Sequence, residues 1–404
     1  MRLRASVASL AVQGVNRASR LTGKGSGTVA GGRVGLKLDP KLLEDLARGR
    51  STVLVSGTNG KTTTTALLTA ALATAGPIAT NATGSNMPPG HVAALVGTKA
   101  SVGACLEVDE AWLPATAAAT RPRAVVLLNL SRDQLDRSSE VRMLAERWRG
   151  AVASAGVVIA NCDDPMVAWA ASTAESIVWV AGGLEWKDDA GACPSCRGAI
   201  SFDPLGWRCG SCDLTRPTPT WWLDDRDAVC PSGPVSLTLE LPGRFNRSNA
   251  LVALAAADAL GIDPDVAAHA MSMVHDVAGR FNEVVIASTP CRLMLAKNPA
   301  GWSALLDVVT EGTAPVVVAI NSRTADGADP SWLFDVDFSK LQGRRVVATG
   351  DRWRDLSVRL RYAGVVHDAE ADSTRAVEVA GTDGDMVEIV GNYTAFRDLL
   401  EASA

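Results

Sequence analysis

The run Thr52-Val53-Leu54-Val55-Ser56 leads directly into Gly57-Thr58-Asn59-Gly60-Lys61-Thr62-Thr63, and the stretch from Thr62 to Ala75 that follows is dense in Ala and Leu. Five residues with an apolar, largely β-branched centre have the length of a buried parallel strand, and the Ala/Leu stretch suits a helix, so the three pieces form one strand-turn-helix unit. In such a turn the glycines let several backbone N–H groups converge on a phosphate. Lys61 adds a point charge, and the helix N-terminus adds its dipole. Thr62 is placed to offer a hydroxyl to Mg²⁺. The strict phosphate-loop pattern has a glycine where this chain carries Val55. Gly57, Thr58, Asn59, Gly60, Lys61, Thr62 and Thr63 are therefore the expected ATP-binding residues, with Lys61 also in a catalytic role.

Working outward, Ala124 to Leu130 and Gly156 to Asn161 read as further apolar strands, with a helix from Glu140 to Trp148 between them. Strands regularly separated by helices imply a doubly wound, mostly parallel α/β sheet with ligands at the carboxyl ends of its strands. Between Leu184 and Pro234 the pattern gives way to Trp, Cys, Pro, Gly and Asp, which reads as an insertion with its own small fold. The helix Asn249 to Leu260 resumes the α/β pattern. Beyond Val284, strand-like runs at 292–296, 316–320, 345–348, 364–367 and 386–390 imply a separate C-terminal α/β domain. The expected division is residues 1–36 as an N-terminal helix and a loop (21–35 being rich in Gly, Ser and Thr), 37–283 as the ATP-binding domain carrying the 184–234 insertion, and 284–404 as the last domain.

Composition limits the function. A chain of 404 residues, 47% hydrophobic and with a formal net charge of −5, has no broad basic footprint for nucleic acid. The opening Met1-Arg2-Leu3-Arg4 starts an apolar stretch that Gln13, Asn16, Arg17 and Arg20 interrupt, so an amphipathic helix is expected there rather than a secretory core. No transmembrane segment is expected, and membrane contact would come through a substrate or partner.

Of eight cysteines, Cys105, Cys162, Cys230 and Cys291 are scattered and read as buried free thiols. The other four form Cys193-Pro194-Ser195-Cys196, twelve intervening residues, then Cys209-Gly210-Ser211-Cys212. Paired thiolates on two knuckles converge on a tetrahedral metal, with Zn²⁺ the first candidate and iron the runner-up. A closed Cys₄ shell leaves no open position, so the ion is expected to be structural. A further acidic element, Glu107-Val108-Asp109-Glu110, follows an apolar run. A carboxylate opposite the phosphate loop would suit Mg²⁺, with Glu107 first in line, and a solvated acidic turn is the plain alternative. Asn86 and His91, near this loop in sequence, are expected on the substrate side.

The phosphate loop, Asn129 to Arg137, Asn161-Cys162-Asp163-Asp164-Pro165, Asn246 with Asn249, and Gly279-Arg280-Phe281-Asn282-Glu283 together resemble the Mur ligases. Those enzymes phosphorylate a carboxylate with ATP and let an amine attack the acyl phosphate. Three departures are informative: Gln134 stands within Asp133-Gln134-Leu135-Asp136, Lys297-Asn298-Pro299 replaces His-Asn-Pro, and the uridine-binding domain is missing. With the cysteine insertion and the segment Asp326 to Asp335, they make the chain similar to the MurT family, Mur-ligase-like subunits of lipid II isoglutaminyl synthase. The resemblance implies ATP-dependent amidation of the D-glutamate α-carboxylate of the peptidoglycan stem peptide to D-isoglutamine. It also implies ammonia from a GatD-like glutaminase in a heterodimer, with lipid II or a lipid-linked stem peptide as substrate at the inner face of the cytoplasmic membrane. Asn246, Asn249 and Arg280 are implied nucleotide contacts. Asp335 is the implied essential acid, with Asp337, Asp329 and Asp326 as alternatives. The competing reading is a Mur-type or folylpolyglutamate-type ligase that adds an amino acid through the same acyl phosphate.

Overall fold

The structure is a computed structural model, and it describes residues 2–21, 28–81, 84–132, 141–184, 186–224, 227–275, 281–381 and 386–403. The chain divides into two units, Met1–Leu130 with Glu140–His275, and Ser131–Ser139 with Asp276–Ala404.

The first unit is built on β1 (Thr52–Ser56), β2 (Ile78–Thr80), β3 (Gly103–Val108), β4 (Ala124–Leu127), β5 (Val157–Asn161) and β6 (Ile177–Ala181). Every residue of β1 and β4 is buried, as expected of strands covered by helices on both faces. The parallel order is β2-β3-β1-β4-β5-β6, so the chain leaves β1 toward one edge and later continues from β4 toward the other. The carboxyl end of β1, where the Gly57 turn begins, is therefore a topological switch point, the usual ligand crevice of such sheets.

The segment expected as one insertion divides in two. β7 (Ile200–Asp203) and β8 (Gly206–Cys209) form a separate antiparallel ribbon. In contrast, β9 (Trp221–Leu223), β10 (Asp227–Cys230) and β11 (Gly233–Ser236) extend the main sheet beyond β6 to nine strands. Trp221 is buried at that junction, and a short stretch of mixed composition could not show from sequence that it joins the main sheet beside β6.

The glycine-rich stretch near the N-terminus also differs from expectation. Residues Thr28–Leu38 form a helix, not a loop. Its glycines serve packing. A Cβ at Gly31 would meet the Asn16 side chain at 2.0 Å and one at Gly35 would meet Val12 at 2.5 Å, both on helix Leu3–Leu21. One at Gly32 would lie 1.9 Å from the Pro89 carbonyl of helix Pro88–Leu95. Three absent side chains let three helices approach closely, which outweighs the weak helix propensity of glycine.

The second unit has β12 (Phe281–Ile286), β13 (Thr289–Leu295), β14 (Val316–Ala319), β15 (Val346–Thr349), β16 (His367–Ala369) and β17 (Val387–Gly391), in the order β12-β13-β17-β14-β15-β16. All neighbours are parallel except the β12-β13 hairpin. Arg323, held between Asp351 and Asp398 at 2.8 and 2.6 Å, stands beside a cavity of about 430 Å³ at the carboxyl ends of β14, β15 and β16.

Candidate active site

Gly60 adopts φ +83°, the left-handed conformation, and caps helix Lys61–Ala73 without offering a side chain to its first amides. That start is what an anion needs, since the N–H groups of the first turn have no carbonyl within the helix to bond. Space allows nothing larger at Gly60: a Cβ there would lie 2.3 Å from Asn249 Oδ1. Asn249 thus packs against the loop. Asn246 lies one turn earlier on helix Arg244–Ala259, tied by Nδ2 to the Pro242 carbonyl at 2.7 Å.

Lys61 is buried within the turn. Its Nζ donates to the Gly57 carbonyl, to the Thr58 carbonyl at 3.0 Å and to Glu110 Oε2 at 3.0 Å. The acid that meets the lysine is therefore Glu110, a member of the acidic element that sequence reading ranked behind Glu107. Trp148, wholly buried, donates its indole N–H to the Glu110 carbonyl at 2.9 Å and so fixes that turn. Glu107 stands next to Val55 in the β1-β3 register. It is buried, its amide donates to Asn81 Oδ1 at 2.9 Å, and its Oε1 accepts from Asn86 Nδ2 at 3.2 Å. Two carboxylates thus flank the strand end entering the loop.

Asn129, at the carboxyl end of β4, latches the turn from the other side. Its carbonyl accepts from Thr58 N and its Oδ1 from Asn59 N, both at 2.9 Å, while its Nδ2 donates to the Asn59 carbonyl at 3.1 Å. The next residue is fixed too, with Leu130 N donating to Asp164 Oδ2 at 2.8 Å. Asp164 also caps helix Pro165–Ala171 through Met166 N and Val167 N. Burial pushes its carboxyl up to about 6 despite these three donors. Sequence reading quoted Asn129 only as part of a family motif, because its latching role depends on a partner some 70 positions earlier.

His91 departs from expectation. It lies on helix Pro88–Leu95, wholly buried, and Nε2 donates to the Glu107 carbonyl at 2.9 Å while Nδ1 is buried with no partner. Burial pushes it down to about 4. It is a neutral packing residue behind the acidic strand. Arg280 and Asp133 to Arg137 lie outside the described residues.

The four paired cysteines come together. All their Sγ atoms lie within 4.8 Å of one another, with Cys193–Cys212 at 3.7 Å and Cys196–Cys209 at 3.4 Å. Backbone amides of Gly198 and Ser211 point at Cys196 and Cys209 sulfurs, the knuckle arrangement that stabilises thiolates. The donor set fits a tetrahedral thiophilic ion. The ribbon is fastened to the sheet: Trp207 Nε1 donates to the Cys162 carbonyl at 2.9 Å, and Arg216 pairs with Asp163 at 2.6 Å.

In the second unit three of the four candidate acids have local duties. Asp326 is buried and accepts from Thr394 N at 2.8 Å, Asp329 accepts from Ser331 N at 2.9 Å, and Asp337 from Ser339 N at 3.1 Å. Asp335, exposed like Asp329 and Asp337, differs in facing Arg132, at 3.5 Å. Arg359 holds its turn by donating to the Leu333 and Val336 carbonyls.

Comparison with known proteins follows this geometry. The family model for the Mur ligase middle domain matches residues 55–191, and that for the MurT ligase C-terminal domain matches 295–396. The chain is 29% identical to the lipid II isoglutaminyl synthase (glutamine-hydrolyzing) subunit MurT of Staphylococcus aureus (strain COL), over 95% of this chain and 94% of that one. The subunit of the same name from Streptococcus pneumoniae (strain R6) is also 29% identical, over 93% of each. Among solved structures, MurF from Acinetobacter baumannii superposes with a TM-score of 0.67 at 18% identity, covering 91% of this chain and 80% of that one. Mycobacterium tuberculosis folylpolyglutamate synthase complexed with ADP gives 0.61 at 16%, covering 90% and 92%. These two show the likeness of fold.

Proposed function

We propose, from the premise that this chain is of the Mur ligase family and of its MurT type, that it is the synthetase subunit of a lipid II isoglutaminyl synthase. It is a ligase that uses ATP to activate the D-glutamate α-carboxylate of the stem peptide for attack by ammonia. The observation that carries this reading is the buried Lys61–Glu110 pair at a helix N-terminus whose cap residue, Gly60, has no side chain. Phosphoryl transfer needs positioning and charge neutralisation more than acid or base groups, and this turn supplies both. Gly57 to Thr63 and Asn249 would hold the triphosphate side, with Asn246 and Arg280 as further nucleotide contacts. Thr62, Glu107 and Glu110 would hold Mg²⁺, which when bound offsets charge on the transferring phosphoryl group. A zinc ion in the four cysteines would clamp the ribbon and take no part in the chemistry.

Ammonia comes from a separate subunit in this reading. A glutaminase needs an activated thiolate, yet burial pushes the Cys105 and Cys162 thiols up to about 12 and that of Cys291 to about 11. A GatD-like glutaminase in a heterodimer is the source we assign. Asp335 is the acid that faces it, since its three neighbours are spent on turns and caps while Asp335 stands beside the exposed Phe334. The reaction takes place at the inner membrane face, where a lipid-linked peptide is anchored.

The test combines the chain with ATP, Mg²⁺ and lipid-linked stem peptide, supplying either ammonium or glutamine plus the glutaminase, and reads the product by mass spectrometry. Exchange of a hydroxyl for an amine is expected from both nitrogen sources. Addition of a whole amino acid would instead identify the amino-acid-adding ligase. Asp335→Asn is expected to lower the glutamine-driven rate by about 10²- to 10⁴-fold, on the scale of an orienting acid in a catalytic triad, and to spare the ammonium-driven rate. Equal loss with both would overturn its partner-facing role.

A further inference from the structure

Helix Leu3–Leu21 buries Ala5, Ala8, Ser9 and Val12 against the first unit. Its opposite side is not polar. Leu3, Val7, Leu10 and Leu21 are 83, 55, 68 and 80% exposed, and at 100° per residue their spacing sets all four on one line. Arg17 shares that line, and Arg4 flanks it. Helix Thr28–Leu38 packs behind this line, its Gly31 and Gly35 meeting Asn16 and Val12, and its own exposed Val29, Arg33 and Lys37 lie half a turn from those glycines and face away from helix Leu3–Leu21. The two helices are not a loose tail, since Gly31 and Gly35 seat one on the other and Gly32 seats the pair on helix Pro88–Leu95.

Charge distinguishes this element from the rest of the molecule. Residues 1–38 contain seven Lys or Arg and no Asp or Glu, which leaves −12 on the other 366 residues of a chain whose total is −5. Arg2 is spent on Asp39 and Asp45. Arg4 and Arg17 remain exposed beside the aliphatic line.

We propose that the outer side of helix Leu3–Leu21 is a docking face for an anionic bilayer surface. Single-file aliphatic side chains on a helix, flanked by bases and free of acids, enter the headgroup layer while the cations meet lipid phosphates. The strongly acidic remainder of the chain is repelled by the same surface, so charge alone orients the molecule with this side down. The chain thereby makes membrane contact of its own, where the sequence led us to expect contact only through substrate or partner.

The test is flotation of the full chain with vesicles of phosphatidylglycerol and phosphatidylcholine, set against phosphatidylcholine alone, without any lipid-linked substrate. Binding to the anionic vesicles is expected, weakening as salt rises. The triple variant Leu3→Ser, Val7→Ser, Leu10→Ser should bind about tenfold or more weakly, because the aliphatic insertion is lost. The double variant Arg4→Gln, Arg17→Gln should lose roughly fivefold per base removed. Both should keep full amidation of a water-soluble stem peptide, which also verifies that they fold. No flotation, equal flotation with neutral vesicles, or unchanged flotation of both variants would overturn the proposal. So would loss of co-elution with the glutaminase in place of vesicle binding, which would make this face a protein interface.

Discussion

Each unit places a helix directly after the first strand of its parallel sheet, and the two helix starts are finished in opposite ways. In the first unit Gly60 turns left-handed and contributes no side chain to helix Lys61–Ala73. In the second, Asn298 caps helix Pro299–Thr310 by accepting from Gly301 N at 2.9 Å, with Pro299 at the first helical position. The same module is thus open to an anion in one place and closed by its own residue in the other. A helix N-terminus becomes a phosphate site only when the chain declines to satisfy it. Lysine placement follows the same division, with Lys61 tucked among carbonyls and Glu110, and Lys297 lying over the Tyr393 ring at 5.5 Å.

The strongest way to break this contrast is to remove the charge at the open start. Lys61→Ala should lower amidation by about 10²- to 10³-fold with either nitrogen source, the scale of losing one preorganised electrostatic partner. A steady-state rate within tenfold of the parent would show that the open start is not where the phosphates bind.

Next in size is a pH effect confined to the first unit. His91 is held at about 4 when folded against about 6.5 when unfolded. Between those values the unfolded chain binds a proton that the folded chain refuses, so this group's contribution is present above pH 6.5 and is lost as pH falls toward 4. The full difference is up to about 3 kcal/mol. Denaturant titrations of the parent and of His91→Gln from pH 7 to 4.5 should show a steeper decline for the parent. Parallel declines would place the imidazole in water.

Smaller effects separate the two starts directly. Gly60→Ala forces a left-handed alanine, costing about 1–2 kcal/mol, and drives a methyl into Asn249, so nucleotide affinity and stability should fall together. Asn298→Ala should cost about 1 kcal/mol of stability as a lost cap and leave nucleotide affinity within a few-fold. Isothermal titration with an ATP analogue reads both, and a tenfold loss of affinity in Asn298→Ala would dissolve the distinction.

Much of this was legible in the sequence because it rests on local rules. A strand, a glycine turn, a lysine and an Ala-rich helix are contiguous, and two Cys-x-x-Cys pairs declare convergence by spacing alone. What escaped depends on partners distant along the chain. Asn129 gains its meaning from Thr58 and Asn59, Glu110 from Lys61, and Trp148 from Glu110. Gly31, Gly32 and Gly35 suggested a loop because glycine breaks helices in water, whereas here it admits a neighbouring helix.

The small ribbon has the look of a detachable ornament, and its fastening says otherwise. Trp207 and Arg216 hold Cys162 and Asp163; the adjoining Asp164 holds Leu130, and Asn129 beside it holds the turn at Thr58 and Asn59. Anyone shortening this protein for crystallisation or display by excising residues 190–216 would be cutting two moorings that lie one and two residues away from the carboxylate that steadies the nucleotide loop. The ribbon is better treated as an outrigger of the active site than as cargo.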